Sequence, residues 1–427
     1  MPEFLRLSPP MQALQILLDS LPEMKPADEA IGSIDALGRV LAADVRAPHS
    51  LPEFPRSSVD GFAVRANDTF GVSEALPGYL QLVGEILMGK SPTVVITPDT
   101  CVSIHTGGML PDGANAVMML EHSQTVKRRG PGNEEITEIE ILRPVAVGEN
   151  VILVGEDVKK DQIVLKAGSR IRPAEIGGSM ALGISLLRVA IPPRIGIISS
   201  GDEVVPPDCS PQPGQVRDVN SHSLAALVKG SGGDPVLYGI VPDNLQAMKS
   251  VAGIALNECD AILITAGSSA SARDHTAEAI ASLGEPGILV HGVNVRPGKP
   301  TILAVCGGKA VIGLPGNPVS ALVIGKLFAI PIIERMLGLN VVRPHPSVMA
   351  KMEMNIASQA GREDWVAVRI HSSPSQSIPS EERIWMAEPI FGKSNLIFSL
   401  AAADGLVRIP PNSTGVSSGE MVEVVLL

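Results

Sequence analysis

A chain of 427 residues with 45% hydrophobic and 19% charged side chains can bury enough apolar surface to fold, and at roughly 100–200 residues per domain it holds two to four of them. Its formal net charge of −11 disfavours nucleic-acid backbone binding as the main activity, because that affinity rests on clustered Lys and Arg, but it leaves room for a local anion site. Cys101, Cys209, Cys259 and Cys306 form no CxxC pair and read as reduced thiols, and no basic segment precedes a long apolar run near the start, so a soluble cytoplasmic chain with no membrane partner is expected.

In chain order, Met11, Leu14, Ile16, Leu17, Leu18 and Leu21 fall mostly at helical spacing and predict a short amphipathic helix used for packing. Between residues 45 and 147, the β-prone runs YLQLVGEIL, TVVIT, CVSIH, AVMML and ITEIEIL are separated by Pro-Gly, Pro-Asp-Gly and Asn-containing turns, the pattern of a small β-rich domain. Residues 1–44 and 148–188 read as an elongated connector, with one helix opened by Pro173 and part of 27–44 available to pack on the next domain. From 189 to 339 the apolar strands RIGIISSG, PVLYGIV, DAILITAG and KAVIGLPG alternate with helical stretches, which predicts a doubly wound parallel α/β domain. Residues 340–427 carry the strand runs VMAKMEMNI, EDWVAVRI, RIWMAEPI, GLVRIP and MVEVVLL with a short helix near 395–403, a closing β-domain.

Ligands on open parallel sheets bind beyond the carboxyl ends of the strands. Three loops qualify: Ser199, Ser200, Gly201, Asp202 and Glu203; Thr265, Ala266, Gly267, Ser268 and Ser269 with Asp274 downstream; and Gly313, Leu314, Pro315, Gly316, Asn317, Pro318, Val319 and Ser320. Small residues let main-chain N–H groups approach an anion, and a following helix N-terminus adds positive potential. One such loop is more often a plain turn; three in one sheet, two with carboxylates, point to a phosphate-bearing ligand. Arg296, Pro297, Gly298 and Lys299 form a stiff basic turn suited to an oxyanion, although alone it would read as a solvated hairpin.

Asp60, Asp157, Glu203, Asp243 and Asp274 are oxygen donors of the kind Mg²⁺ takes, if folding brings them together. The eight histidines show no HExxH or paired ligand spacing, and there is no Walker loop, Rossmann fingerprint or GxSxG elbow.

The segments SSVDGFAVR, IHTGGMLPDGANAVMMLE, GENVILVGEDV, IISSGDEVV, GQVRDVNSHSL, VRPGKP, GLPGNPVSALV and GKSNLIFSLAAADGLVRIP, in this order and nearly full length, resemble the MoeA family of molybdopterin molybdotransferases, whose relatives include the gephyrin E domain. The resemblance implies the same four parts read above: connector, β-rich domain, an α/β domain like the molybdopterin adenylyltransferases, and a C-terminal β-barrel. It implies catalytic roles for Asp60, Thr106, Asp157, Glu203, Asp243 and Asp274, with Glu203, Asp243, Asp274 and Asp60 on Mg²⁺, and family positions for Pro315 and Pro318. One loop departs: where many members carry a Ser-Gly-Gly-Val-Ser segment, this chain runs Ala266-Gly267-Ser268-Ser269-Ala270-Ser271-Ala272-Arg273, one residue shorter.

The implied reaction cleaves the pyrophosphate of adenylylated molybdopterin, releases AMP and transfers molybdate to the dithiolene, in a homodimer whose active site lies between subunits. Gly201, Asp202, Gly267, Ser269, Arg296, Pro297, Gly298, Lys299, Pro315, Gly316, Asn317, Pro318 and Ser320 would hold pterin nucleotide and molybdate. A molybdopterin adenylyltransferase is an expected partner. Two rivals are a non-catalytic scaffold or pterin-binding protein of the same architecture and the adenylyltransferase itself; the retained acidic set opposes the first, the extra β-domains and the DGFAV segment the second.

Overall fold

A computed structural model of the chain describes residues 7–129, 133–265, 270–341, 346–372 and 384–427, the side chains of 270–274 excepted. The chain forms two compact units, one of Asp44–Lys166 with Pro173–Ser185, the other of Met1–Ala43, Ala167–Arg172 and Leu186–Leu427.

The smaller unit is built on six strands in the order Ala116–Met119, Gly61–Val64, Thr100–Ile104, Gly78–Glu85, Glu135–Ile141 and Ser123–Arg129. Alternate residues face opposite sides of a strand, so Cys101, Met118 and Ile139 join one apolar cluster while Ala63, Val102 and Val117 join another. The run TVVIT makes no ladder: the Ile96 N–H donates to Asp112 O at 2.8 Å, and the neighbouring Val95 points to water. The edge strand Ser123–Arg129 is too polar to show an alternating pattern; it is held by pairing with Glu135–Ile141, by a Lys127–Glu135 ion pair of 2.7 Å and by Arg128 lying 4.3 Å from the Tyr79 ring centroid.

In the larger unit, Asp28–Gly32 pairs antiparallel with Leu186–Ala190, which joins residues far apart in sequence. The central sheet has the order Asp234–Val241, Arg194–Ser200, Ala261–Thr265, Lys309–Leu314, Ile302–Cys306, Pro286–His291. The first four are mutually parallel, as the alternation of strands and helices implies. Ile302–Cys306 runs against them because Gly307 (φ +56°) and Gly308 (φ +78°) form a two-residue hairpin loop into Lys309–Leu314, and a turn with two positive φ angles needs glycine.

Helices cover both faces of the sheet. On one, Leu17, Leu224, Val228, Ile324 and Phe328 pack against Ile197, Leu263 and Ile312. On the other, Met248, Ala252, Ala279 and Ile280 pack against Ile198, Ile262 and Ile264. Strands apolar on both sides result, each fully buried Leu or Phe contributing about 1.5–3 kcal/mol. The Leu245–Glu258 helix is capped by Asn244, which accepts from the N–H groups of Gln246 and Ala247. The helix that begins at Pro318 widens into a π segment over Gly325–Ala329 before Ile330–Met336. Pro331 lacks an N–H and crowds the preceding turn, and a widened turn accommodates it.

The C-terminal strands close into a five-stranded barrel in the order Ser347–Met352, Met421–Leu426, Gly405–Ile409, Glu363–Ser372, Trp385–Pro389, the last pairing back to the first. Ala350, Met352, Val368, Ala387, Val407 and Val424 fill it. Among the described residues no helix is long and apolar enough to cross a membrane.

Candidate functional site

The basic turn predicted from VRPGKP follows a two-residue strand, Val295–Arg296, that joins the barrel. It pairs in parallel with Glu363 and Asp364, with Arg296 opposite Asp364. The turn is anchored by Val293 N–H to Lys299 O (3.0 Å) and by Thr301 Oγ1 to Gly298 O (2.6 Å). Gly298 is required: φ is +124°, and a Cβ would run into Ile324.

Between this turn, the Gly-Pro loop and the barrel lies a pocket of about 600 Å³. Arg296, Pro297, Gly298, Lys299, Pro315, Asn317 and Ser320 line it, so the structure brings together residues from two predicted segments. It also adds residues the sequence reading did not single out: Arg362, Lys393 and Ser394 as polar lining, Trp365 and Phe391 as apolar wall. Lys393 and Ser394 lie inside the family-like GKSNLIF segment, a signal that was present; Arg362 precedes the strand EDWVAVRI and carried none. Gly316 and Pro318 flank the pocket. Asn220 Nδ2 donates to Gly316 O at 2.8 Å, Val319 N–H donates to Ser394 O at 3.1 Å, and Pro318 starts the helix.

The lining carries four cations, Arg296, Lys299, Arg362 and Lys393, and one carboxylate, Asp364, which is buried and takes the Arg362 fork (Nε to Oδ1 2.7 Å, Nη2 to Oδ2 3.0 Å) and the Ser358 hydroxyl at 2.9 Å. Arg296 Nη1 lies 3.9 Å from the same carboxylate. The neighbouring Glu363 is likewise buried and holds Arg408 Nη2 (2.7 Å) and Trp365 Nε1 (2.8 Å). The surplus of positive charge suits an oxyanion.

At the carboxyl end of the parallel sheet, Gly201 (φ +143°) lets the Glu203 carboxylate fold back over it, since a Cβ there would meet Glu203 Oε2 at 2.8 Å. The Asp243 N–H donates to Asp202 Oδ1 at 3.0 Å. Burial, then the negative charges of Asp202 and Glu203, push the Asp243 carboxyl above its ordinary range. Asp202, Glu203 and Asp243 are thus gathered into one acidic corner, though among the described residues no three His, Cys, Asp or Glu side chains are arranged to hold a metal ion. Gly267 and Ser269 lie outside the described residues; Asp274 stands in the Ala270–Ala281 helix with its side chain outside the description.

In the smaller unit two predicted residues, Asp60 and Thr106, meet. Thr106 donates its N–H (2.8 Å) and Oγ1 (3.2 Å) to Asp60 Oδ1, and His105 Nδ1 lies 3.6 Å from that oxygen while its Nε2 is 3.1 Å from Glu85 Oε1. The Thr106 N–H, its hydroxyl and then His105 hold the Asp60 carboxyl below its ordinary range. Asp157 is exposed on a separate turn, its N–H donating to Leu51 O at 3.1 Å, and stands outside this group.

Family models match along the chain: the MoeA N-terminal region (domain I and II) over residues 9–183, a "probable molybdopterin binding domain" over 196–335, and the MoeA C-terminal region (domain IV) over 349–427. The chain is 36% identical to a Methanocaldococcus jannaschii protein assigned to molybdopterin biosynthesis, covering 99% of this chain and 98% of that one. It is 31% identical to a molybdopterin molybdenumtransferase of Nostoc sp., over 92% and 87% respectively. The crystal structure of the molybdopterin biosynthesis MoeA protein of Pyrococcus horikoshii OT3 superposes with a TM-score of 0.82 at 32% identity, covering 99% of this chain and 100% of that one.

Proposed function

The chain belongs to the MoeA family, and from that premise we propose that it is a molybdopterin molybdenumtransferase of molybdenum cofactor biosynthesis whose substrates are molybdate and adenylylated molybdopterin. The observation that carries the reading is the pocket in which Arg296, Lys299, Arg362 and Lys393 stand with Ser320, Ser394 and Asn317. A tetrahedral dianion needs charge-assisted donors; arginine supplies a planar fork and lysine a point charge. The pocket volume of about 600 Å³ exceeds what molybdate fills and leaves the Trp365 and Phe391 wall for the dithiolene end of the pterin.

Phosphoanhydride cleavage falls to the acidic residues: Glu203 and Asp243 with Asp202, Asp60 oriented by Thr106, and by family resemblance Asp157 and Asp274. Carboxylate oxygens are the donor type Mg²⁺ takes, and the raised Asp243 carboxyl marks negative charge that a cation would relieve, although the described side chains alone do not form a complete set of ligands. Mg²⁺, when bound, would neutralise charge on the phosphoanhydride. One carboxylate takes the proton of an attacking water, the bridging P–O bond breaks, and AMP leaves while the pterin keeps its terminal phosphate. The two dithiolene thiols then bond molybdenum, and one molybdate oxygen leaves as water with their protons.

The enzyme works in the cytoplasm as a homodimer of four-part subunits and receives its substrate from a molybdopterin adenylyltransferase. The homodimer and its adenylyltransferase partner are what the family resemblance implies. Incubating the purified chain with adenylylated molybdopterin, Mg²⁺ and molybdate tests the reading. AMP release in step with molybdenum incorporation is expected; AMP formation with no metal transferred, or neither, overturns it.

A further inference from the structure

We propose that Asp364 is a positioning residue that sets which oxyanion the pocket accepts, an inference that rests on the oxyanion reading of that pocket. Molybdate and sulfate are both tetrahedral dianions, so net charge cannot tell them apart. Size does differ, and a receptor discriminates by size when its donors cannot follow the anion.

Several contacts at Asp364 supply that fixity. Its side chain is 5% exposed, and its two oxygens take the Arg362 fork at 2.7 and 3.0 Å. The planar guanidinium is thereby held in one orientation, with Nη1 outside the fork. Ser358 Oγ donates to Oδ2 at 2.9 Å and fixes the carboxylate in turn. Arg296 stands opposite Asp364 in the two-residue parallel ladder, and its Nη1 lies 3.9 Å from Oδ2. Arg296 is 66% exposed and is drawn toward this carboxylate only by that long ion pair and by the ladder. The same ladder is reinforced by Glu363 N–H to Asn294 O at 3.2 Å and by Asn294 Nδ2 to Gly361 O. One buried carboxylate therefore clamps the arginine that precedes a barrel strand and lies within ion-pair reach of the arginine of the basic turn. A carboxylate on the wall of an anion pocket weakens the field there, which a pocket built for affinity alone would avoid. Orientation is what it provides in return, since an arginine free to rotate must be ordered anew on each capture.

The experiment is calorimetric titration of the full chain with molybdate and with sulfate, for wild type, Asp364→Asn and Arg362→Lys. Wild type should prefer molybdate by about tenfold or more, the scale of one well-placed contact. In Asp364→Asn the preference should fall to within about threefold, because the asparagine keeps the shape and loses the charge-assisted fork. Arg362→Lys keeps the pocket charge and removes only the fork, and should lose the preference equally; it also serves if Asp364→Asn does not fold. A preference unchanged in the folded variants overturns the inference. An Arg296→Ala variant separates the two levels: if molybdate binding is untouched by it, the oxyanion pocket itself is elsewhere and the proposed function's site fails first.

Discussion

The main-chain N–H of Asp243 donates to Asp202 Oδ1 at 3.0 Å, so acidic residues from two neighbouring strand ends share one corner of the sheet. Burial, followed by the charges of Asp202 and Glu203, raises the Asp243 carboxyl, and a main-chain bond from Asp202 and the charge of His275 oppose this incompletely. A carboxyl raised on folding favours the folded state fully below its unfolded value of 3.8 and loses that contribution as pH climbs through the folded value. At neutral pH without divalent cation, Asp243→Asn should therefore melt above wild type, and the advantage should vanish below about pH 4. Mg²⁺ should reverse the order, stabilising wild type by about 2.7 kcal/mol at a hundredfold excess over its dissociation constant. Melting curves of both proteins with and without Mg²⁺ decide it; a wild-type curve indifferent to millimolar Mg²⁺ would remove the metal from this corner.

Asp60 behaves in the opposite sense. Its carboxyl is lowered by the Thr106 N–H first, then the Thr106 hydroxyl and His105, so its contribution to stability is present above the unfolded value of 3.8 and is lost as pH falls through the lower folded value. Thr106→Ala deletes the hydroxyl donor at 3.2 Å and keeps the N–H donor at 2.8 Å, so the Asp60 titration should move part of the way back toward 3.8. Carbon-13 NMR of the Asp60 carboxyl reads this directly. An Asp60 titration that ignores the substitution would mean the hydroxyl bond does not form in solution.

What the sequence made legible follows from where burial writes a period. Helices such as Pro10–Ser20 and the strands Arg194–Ser200 and Ala261–Thr265 lie against the core, so their apolar residues recur at the spacing of the element. Ser123–Arg129 is a polar edge strand and leaves no such trace, and the reversal of Ile302–Cys306 rests on its Gly307–Gly308 loop, which the sequence reading did not single out. The site was legible as segments and illegible as a constellation. Arg296 and Lys299 stood out because a stiff turn carries them. Arg362 reaches the same pocket through barrel closure, and closure depends on pairings such as that of Ser347–Met352 with Trp385–Pro389, which no local pattern encodes. Asp60 and Thr106 lie 46 positions apart and meet only through the pairing of Gly61 with Ile104.

Gly298 links fold to pocket and can be tested by one methyl group. Its φ of +124° disfavours any side chain, and a Cβ would strike Ile324 of the neighbouring helix. Gly298→Ala should cost about 1–3 kcal/mol of stability. Because the turn must shift to relieve the clash, Arg296 and Lys299 move with it, and half-saturation by molybdate should rise by about an order of magnitude, the effect of misplacing donors. Thermal melting and molybdate titration on the same preparation check both. A destabilised variant with unchanged molybdate dependence would show that the turn is structural and the anion is held from the barrel side.

Glu203 is the acidic residue whose position the local fold determines most closely. It follows the buried strand Arg194–Ser200, and Gly201 leaves the space into which its carboxylate folds. The loop is pinned beyond it, because Val216 N–H donates to Glu203 O at 2.8 Å and the Val204–Val205 strand pairs in parallel with Val216–Arg217. Glu203→Gln keeps the size, the loop and these main-chain bonds while deleting one negative charge. Folding should survive, and the Asp243 carboxyl should relax toward its ordinary range because one of the charges that raise it is gone. AMP release should fall by about a factor of 100 or more if the charge acts on the phosphoanhydride transition state, the usual loss when one electrostatic contributor is removed. Binding of adenylylated molybdopterin should change less, since its pterin and adenine ends do not depend on this carboxylate. Single-turnover AMP release at saturating Mg²⁺ separates the steps. Near-normal release with Asp243 relaxed would leave Glu203 as a neighbour that tunes Asp243, and the cleavage chemistry would then belong to Asp243 and Asp60.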